Sequence, residues 1–190
     1  MNKNFQLIIL LFFFSCSNDK TTKNNVKVSK HKKTEIHEPT CTVIEKQNPD
    51  NGTDPIIIQT CIWGQYKFVT VGSPDYKGRY SYEYEVYKTT DNKDIKVQNK
   101  DIFNSKVGDL EKLINSEIAK ELKENRQYPD NAECLNDVGN PNFSINDMGI
   151  TIDKKGRMQF NVSFGLGGAC FNVDGASAKF SLNDLNDYLK

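Results

Sequence analysis

The sequence predicts an α+β fold: an antiparallel sheet packed by one main amphipathic helix, with a short helix at the C-terminus. Three observations carry this. Short segments rich in β-branched and aromatic residues recur between turn clusters from Cys41 to Val97, the pattern of antiparallel hairpins. Val107 to Asn125 instead places Leu110, Leu113, Ile114, Ile118, Ala119 and Leu122 at the i, i+3, i+4 spacing of one apolar stripe. Gly149 to Lys190 then reads as strand, turn, strand, glycine-rich crossing, strand and closing helix.

Ahead of the fold, residues 1–15 read as an export signal. Lys3 supplies a positive start and Phe5 to Phe14 is apolar apart from Gln6, about half the ~20 residues a membrane-spanning helix needs. The run ends in Ser15-Cys16. A small residue immediately before a cysteine resembles the lipobox of bacterial lipoproteins, with Phe13 where that pattern usually has Leu. The resemblance implies that Cys16 is acylated and becomes the new N-terminus, and that Ser17 after it sorts the chain to the outer membrane. Several acyl chains at ~0.8 kcal/mol per buried CH₂ make a stable anchor.

Residues 16–40 read as a lipid-anchored flexible tether. Lys20, Lys23, Lys27, Lys30, Lys32 and Lys33 face only Asp19, Glu35 and Glu38, and Val26, Val28 and Ile36 are too few to offset the entropy of ordering. The basic excess suits a spacer beside anionic headgroups. Both histidines, His31 and His37, fall here, in a segment with no preset metal geometry.

The remaining residues, 41–190, form a single domain long enough to bury a core, and contain no histidine. Ser-His-Asp and Cys-His nucleophile pairs and HExxH metal sites are therefore excluded from it, and no cofactor or metal motif is present. The whole chain balances 25 basic against 25 acidic residues; without Lys3 and the tether the domain holds 18 against 22. That acidic balance argues against nucleic acid and is compatible with a basic protein partner.

Four cysteines, Cys41, Cys61, Cys134 and Cys170, lie in the domain without any CxxC pair. An even number in an exported domain points to two disulfides, with three possible connectivities. The favoured pairing joins Cys41 to Cys61 within the first hairpin, and Cys134 to Cys170, tying a middle loop to the C-terminal crossing.

The strands follow in order. Cys41–Gln47 and Ile56–Ile62 flank a turn cluster, Asn48 to Pro55, whose Asp50, Asn51 and Asp54 lack the register of a calcium loop. Tyr66–Val71 follows Gly64, and Gly72 to Gly78 reads as a turn. Arg79–Lys88 alternates strictly, with Tyr80, Tyr82, Tyr84 and Val86 on one face, as a half-buried antiparallel strand does. The tyrosine ladder suits sugar stacking or protein binding. Asn92–Asp94 and Ile95–Val97 read as a turn and a short strand.

The Val107–Asn125 helix carries Asp109 and Glu111 in its first turn and Lys120, Lys123 and Arg126 at its end, as its dipole favours. It is expected to cover the apolar face of the tyrosine strand. Tyr128–Asn142 reads as a long loop pinned by Cys134, with Glu133, Asp137 and the nearby Asp147 as carboxylates for glycan hydrolysis, and Phe143–Ile145 as a further strand.

Asp101-Ile102-Phe103, the helix after it, and the block Gly149-Ile150, Met158-Gln159-Phe160, Gly175, Phe180-Ser181-Leu182, Leu185 and Tyr188-Leu189 resemble a family of extracytoplasmic α+β domains. The family includes the lysozyme-sensing domain of a membrane-bound anti-sigma factor and a domain attached to peptidoglycan deacetylases. The resemblance covers about ninety residues and implies a binding module for a lysozyme-like protein or for peptidoglycan. Where the family carries an aromatic–Ala-Pro-Tyr segment, this chain has Phe164 to Phe171.

Gly165-Leu166-Gly167-Gly168 in that segment leads toward another strand and not a helix, so it reads as a strand crossing and not as a phosphate loop. The expected binding surface is Tyr80, Tyr82, Tyr84, Gly165, Gly167, Gly168 and Phe171. The expected function is a non-catalytic binding module in the cell envelope, facing the periplasm or the cell surface, with a structural or assembly lipoprotein and a carboxylate-dependent glycan hydrolase as alternatives. The Gly149–Lys190 block is expected at the centre of the sheet.

Overall fold

The computed structural model describes residues 37–49, 54–75 and 77–190. The expectations for the signal, for Cys16, for most of the tether and for Asp50 and Asn51 fall outside these residues.

Five strands, β1 (Thr40–Lys46), β2 (Ile56–Trp63), β3 (Tyr66–Pro74), β4 (Tyr80–Thr90) and β5 (Lys93–Lys96), form one antiparallel sheet in sequential order. Two-residue turns close two of the hairpins. Gly64 takes φ +56° between β2 and β3, and Asp91 and Asn92 take φ 51° and 60° between β4 and β5. Positive φ at the first central position of one turn and at both of the other matches the right-handed twist of the flanking strands. That last turn lies one residue earlier than the sequence suggested. β3 also runs on through Gly72, where a turn was expected: Gly72 pairs with Tyr82, and a Cβ on it would stand 2.9 Å from Cε1 of that ring.

The Gly149–Lys190 block does not join this sheet. Its strands β6 (Gly149–Ile152), β7 (Arg157–Val162) and β8 (Ala176–Ser181) make a separate three-stranded antiparallel sheet. Alternation gives the small sheet two different faces. Ile150, Ile152, Met158, Phe160, Val162, Ala176 and Ala178 are buried on one, while Thr151, Gln159, Asn161, Ser177 and Lys179 stand on the other.

Helix α1 (Val107–Asn125) packs on that buried face along β8, not across β4 as expected. Ala176 and Ala178 explain the choice, because small side chains let a helix backbone approach closely. Leu110, Ile114, Ile118 and Leu122 are buried, whereas Leu113, assigned to the same stripe, is 37% exposed. The large sheet meets the small one through β6, which touches β3 and β4. Cys61, Tyr66, Phe68 and Val86 from the large sheet share one core with α1 and the small sheet.

Tyr128–Asn142 is not a bare loop. Pro129 opens a helix, α2 (Pro129–Leu135), at the first position, where its missing N–H costs nothing. Arg126 donates from Nη2 to the Leu135 carbonyl at 2.9 Å and so satisfies an end of that helix. Phe143–Ile145 is not a strand: Ile145–Asp147 is a 3₁₀ turn capped by Ser144. Asn115 holds Phe143 by two hydrogen bonds and Glu111 accepts from the Ile145 N–H at 2.8 Å, so α1 itself aims the chain into β6.

Both disulfides form as favoured. Cys41–Cys61 bridges directly opposed residues of β1 and β2, and Cys134–Cys170 joins α2 to the crossing. The crossing winds as a six-residue 3₁₀ turn, Gly168–Val173, where none was expected. A short helix, α3 (Leu182–Leu185), with a Ser181 capping box closes the fold. Beyond it Leu189 bridges to Phe103 and the Lys190 N–H donates to the Ile102 carbonyl at 3.1 Å, which joins two of the pieces that carried the family resemblance.

Candidate functional site

β4 alternates, and alternation alone puts Tyr80, Tyr82 and Tyr84 on one face. Their rings stack in series, with centroids 6.3 Å apart from Tyr80 to Tyr82 and 6.5 Å from Tyr82 to Tyr84. Each is held differently. The Tyr80 hydroxyl donates to the Pro55 carbonyl at 2.9 Å. Tyr84 is half-buried against Gly149, and burial, then the neighbouring Tyr82, pushes its phenol above the usual range. Tyr82 is 55% exposed, the freest of the three.

Opposite them stands Phe171 of the crossing, and together these rings line an open cleft of about 430 Å³ with Asp147, Asn161 and Asp174. Phe171 is placed by two devices. Its neighbour Cys170 is tied to α2, and the Arg79 guanidinium lies 4.5 Å from its ring centroid. Arg79 is fixed in turn by Asp75 at 2.8 Å, and that hydrogen bond, ahead of smaller contributions, holds the Asp75 carboxyl below its usual range. Arg79 thus couples the cleft wall to the β3–β4 turn.

Asp174 braces the crossing from within: it accepts from the Ser163 hydroxyl at 2.8 Å and from the Leu166 N–H at 2.7 Å. One amide, Asn161, lines the cleft and is held by its neighbours. Gln159 Nε2 donates to Asn161 Oδ1 at 2.7 Å, and Asn161 Nδ2 donates to the Gly149 carbonyl at 3.2 Å.

Of the residues expected to bind, the structure gathers Tyr80, Tyr82, Tyr84 and Phe171. Gly165, Gly167 and Gly168 do not line the cleft; no atom lies within 4 Å of a Cβ placed on any of them. Gly165 and Gly168 serve the backbone instead, at φ +74° and +62°. The three carboxylates proposed for glycan cleavage are not gathered either. Asp147 reaches the cleft, whereas Glu133 lies on α2 and Asp137 just after it. Among the described residues no group of three or more His, Cys, Asp or Glu is placed to hold a metal ion.

Sequence reading missed Asn161 and Arg79. The Asn161 signal was its place two residues after Gln159 on the polar face of a strand, which only the pairing of β7 could reveal. The Arg79–Phe171 contact joins residues with no periodic relation.

A second hollow of about 590 Å³ adjoins the cleft and shares Tyr82, Tyr84, Asn161 and Val162 with it. It opens where the polar face of the small sheet diverges from the inner face of β2 and β3, beyond the tie made by Gln59 Nε2 to the Ile152 carbonyl at 3.2 Å.

Compared with protein-family models, with curated proteins and with solved structures, the chain finds no match in any of the three. The two disulfides point to an oxidising, extracytoplasmic compartment. Among the described residues no helix is long and apolar enough to cross a membrane.

Proposed function

We propose that this chain is a lipid-anchored cell-envelope protein whose folded part is a non-catalytic binding module, gripping its ligand at the tyrosine cleft. The observation that carries the reading is the meeting of three stacked tyrosines with Phe171 beside the Asn161 amide in one open cleft. Aromatic faces supply contact area at low conformational cost, and amides supply both donors and acceptors. Wall glycan is the ligand this chemistry suits best, since pyranose rings pair an apolar face with a rim of hydroxyls.

Binding without cleavage fits the residues present. Residues 41–190 have no histidine, and the Asp174 carboxylate in the cleft is committed to bracing the crossing. A basic, lysozyme-like protein is the second reading, favoured by the acidic balance of residues 41–190 and by the family resemblance. On either reading Cys16 carries the acyl anchor, residues 16–40 space the module from the membrane, and the outer membrane is its place. The lipobox-like Ser15-Cys16 and the disulfides support that setting.

The test uses the full chain in detergent, mixed separately with insoluble wall sacculi and with lysozyme. Retention on one of them, lost in Tyr82→Ala, supports the module; retention on neither overturns it. Mass spectrometry of the membrane-extracted protein checks the anchor, with acylation expected at Cys16 and absent from Cys16→Ala.

A further inference from the structure

The second hollow has no part in the reading above, and its chemistry is specific. Its walls carry the same Tyr82 and Tyr84 rings, with Gln59 and Thr70 from the large sheet and Thr151, Gln159 and Ser177 from the small one. Those side chains are uncharged and hydrogen-bonding. The charged groups at its border are mostly compensated. Arg157 Nε donates to Asp153 Oδ2 at 2.7 Å. Burial alone would raise that carboxyl, but the bonds from Arg157 and from the Lys155 N–H outweigh it and leave it below its usual range. Glu121 reaches over from α1 to accept the Ser177 N–H at 2.8 Å. The Thr70 hydroxyl oxygen in this region is buried and has no hydrogen-bond partner among the described residues.

We infer that the two hollows form one extended groove for an uncharged linear polysaccharide, its chain passing over Tyr82 from the Phe171 cleft into the space between the sheets. The inference rests on the tyrosine cleft being a binding surface, and adds the class and the length of what it binds. Each hollow alone has the size that holds a small ligand. Two such hollows joined at a pair of stacked rings suit a repeating ligand, whose successive units present the same flat face and the same hydroxyls. A strongly charged polymer meets little compensating field there, because Arg157, Asp153 and Glu121 already have partners and Lys179 is the single further charged side chain among the described lining residues. A compact protein surface would meet the cleft without entering the space between the sheets.

The test is a titration of the full chain in detergent with N-acetylglucosamine oligomers and, in a parallel arm, with cello-oligosaccharides, each from disaccharide to hexasaccharide. Wall-type glycan and plain glucan are thereby told apart. We expect affinity to rise at least tenfold from the disaccharide to the hexasaccharide in one of the arms. Thr151→Arg, which fills the second hollow, should abolish that rise while leaving disaccharide binding within twofold; Gln159→Ala should reduce the rise. Tyr82→Ala should weaken short and long chains alike. Circular dichroism establishes that each variant is folded, and an unfolded Gln159→Ala leaves Thr151→Arg to decide.

Equal affinity at all lengths would overturn the extended groove and leave the cleft as a binding site. Binding of lysozyme but of neither sugar series, lost in Tyr82→Ala, would also overturn the inference while sparing the module. Indifference of every ligand to Tyr82→Ala would overturn both.

Discussion

The ring of Tyr84 occupies the space where any side chain on Gly149 would be. A Cβ on Gly149 would stand 2.1 Å from Cδ2 and 2.4 Å from Cε2 of that ring. This contact sets the approach of β6 to β4 and hence the distance between the sheets at the cleft. Gly149→Ala forces Tyr84 or β6 to move, and overpacking of this kind costs about 1–3 kcal/mol. Chemical denaturation should show that loss. In the Gly149→Ala/Tyr84→Ala double variant the two effects should fall short of additive, because the second change removes the clash created by the first.

Tyr82 should separate binding from stability. It is 55% exposed and stacked between two neighbours, with no hydrogen bond of its own needed to hold the sheet. Tyr82→Ala should stay within about 0.5 kcal/mol of the parent in denaturation, as surface changes do. Stacking is worth about 0.5–1.5 kcal/mol, so ligand affinity should fall by roughly two- to tenfold. Unchanged affinity in a folded variant would remove Tyr82 from the site.

The Cys134–Cys170 bridge spans 36 residues. For a loop of that size the chain-entropy account gives about 4 kcal/mol, with less recovered where the unfolded chain keeps structure. Cys134→Ala/Cys170→Ala should therefore lower the unfolding free energy by about 2–4 kcal/mol. The same variant should weaken ligand binding beyond its effect on folding, because it frees the turn that carries Phe171. Cys41→Ala/Cys61→Ala, within an already paired hairpin, should leave binding intact.

Alkaline pH should destabilise the fold through two tyrosines. Burial, then the charge of Asp101, raises the Tyr66 phenol, and burial, then Tyr82, raises Tyr84. An unfolded tyrosine titrates near pH 10. Below that both states keep the proton and the stabilisation is complete. Above it the unfolded chain ionises first, so stability falls as pH rises from about 10 through the folded values. Tyr66→Phe, which also forgoes the bond to the Asp101 carbonyl, should show a shallower decline between pH 9 and 11 in urea unfolding. An equal decline would sink this account.

The sequence disclosed what is local. The β4 alternation and the α1 stripe, Leu113 apart, follow from spacing, and the structure has them; the cysteines pair as favoured among three possible connectivities. It did not disclose which surfaces meet. The apolar face of α1 fits any apolar sheet, and only the alanines of β8 decide between the two available. Gly149–Lys190 alternates equally well as the centre of one sheet or as a sheet of its own. At α2, Pro129, Asp130 and Asn131 are turn formers and helix-start residues alike, so a helix was read as a loop. Half of the site was legible because the tyrosines are periodic; Asn161, Arg79 and the second hollow depend on pairing between distant strands.

The hydrogen bonds from Asn104 to the Tyr188 carbonyl, at 2.8 Å, and from Lys190 to the Ile102 carbonyl, at 3.1 Å, bear on how the protein can be handled. Chain ends usually fray and tolerate trimming. Here residues 188–190 lace the segment leading into α1 to the stretch that follows α3. Trimmed versions made for crystallisation should spare them. At the other end of the domain β1 starts at Thr40 on the edge of the large sheet.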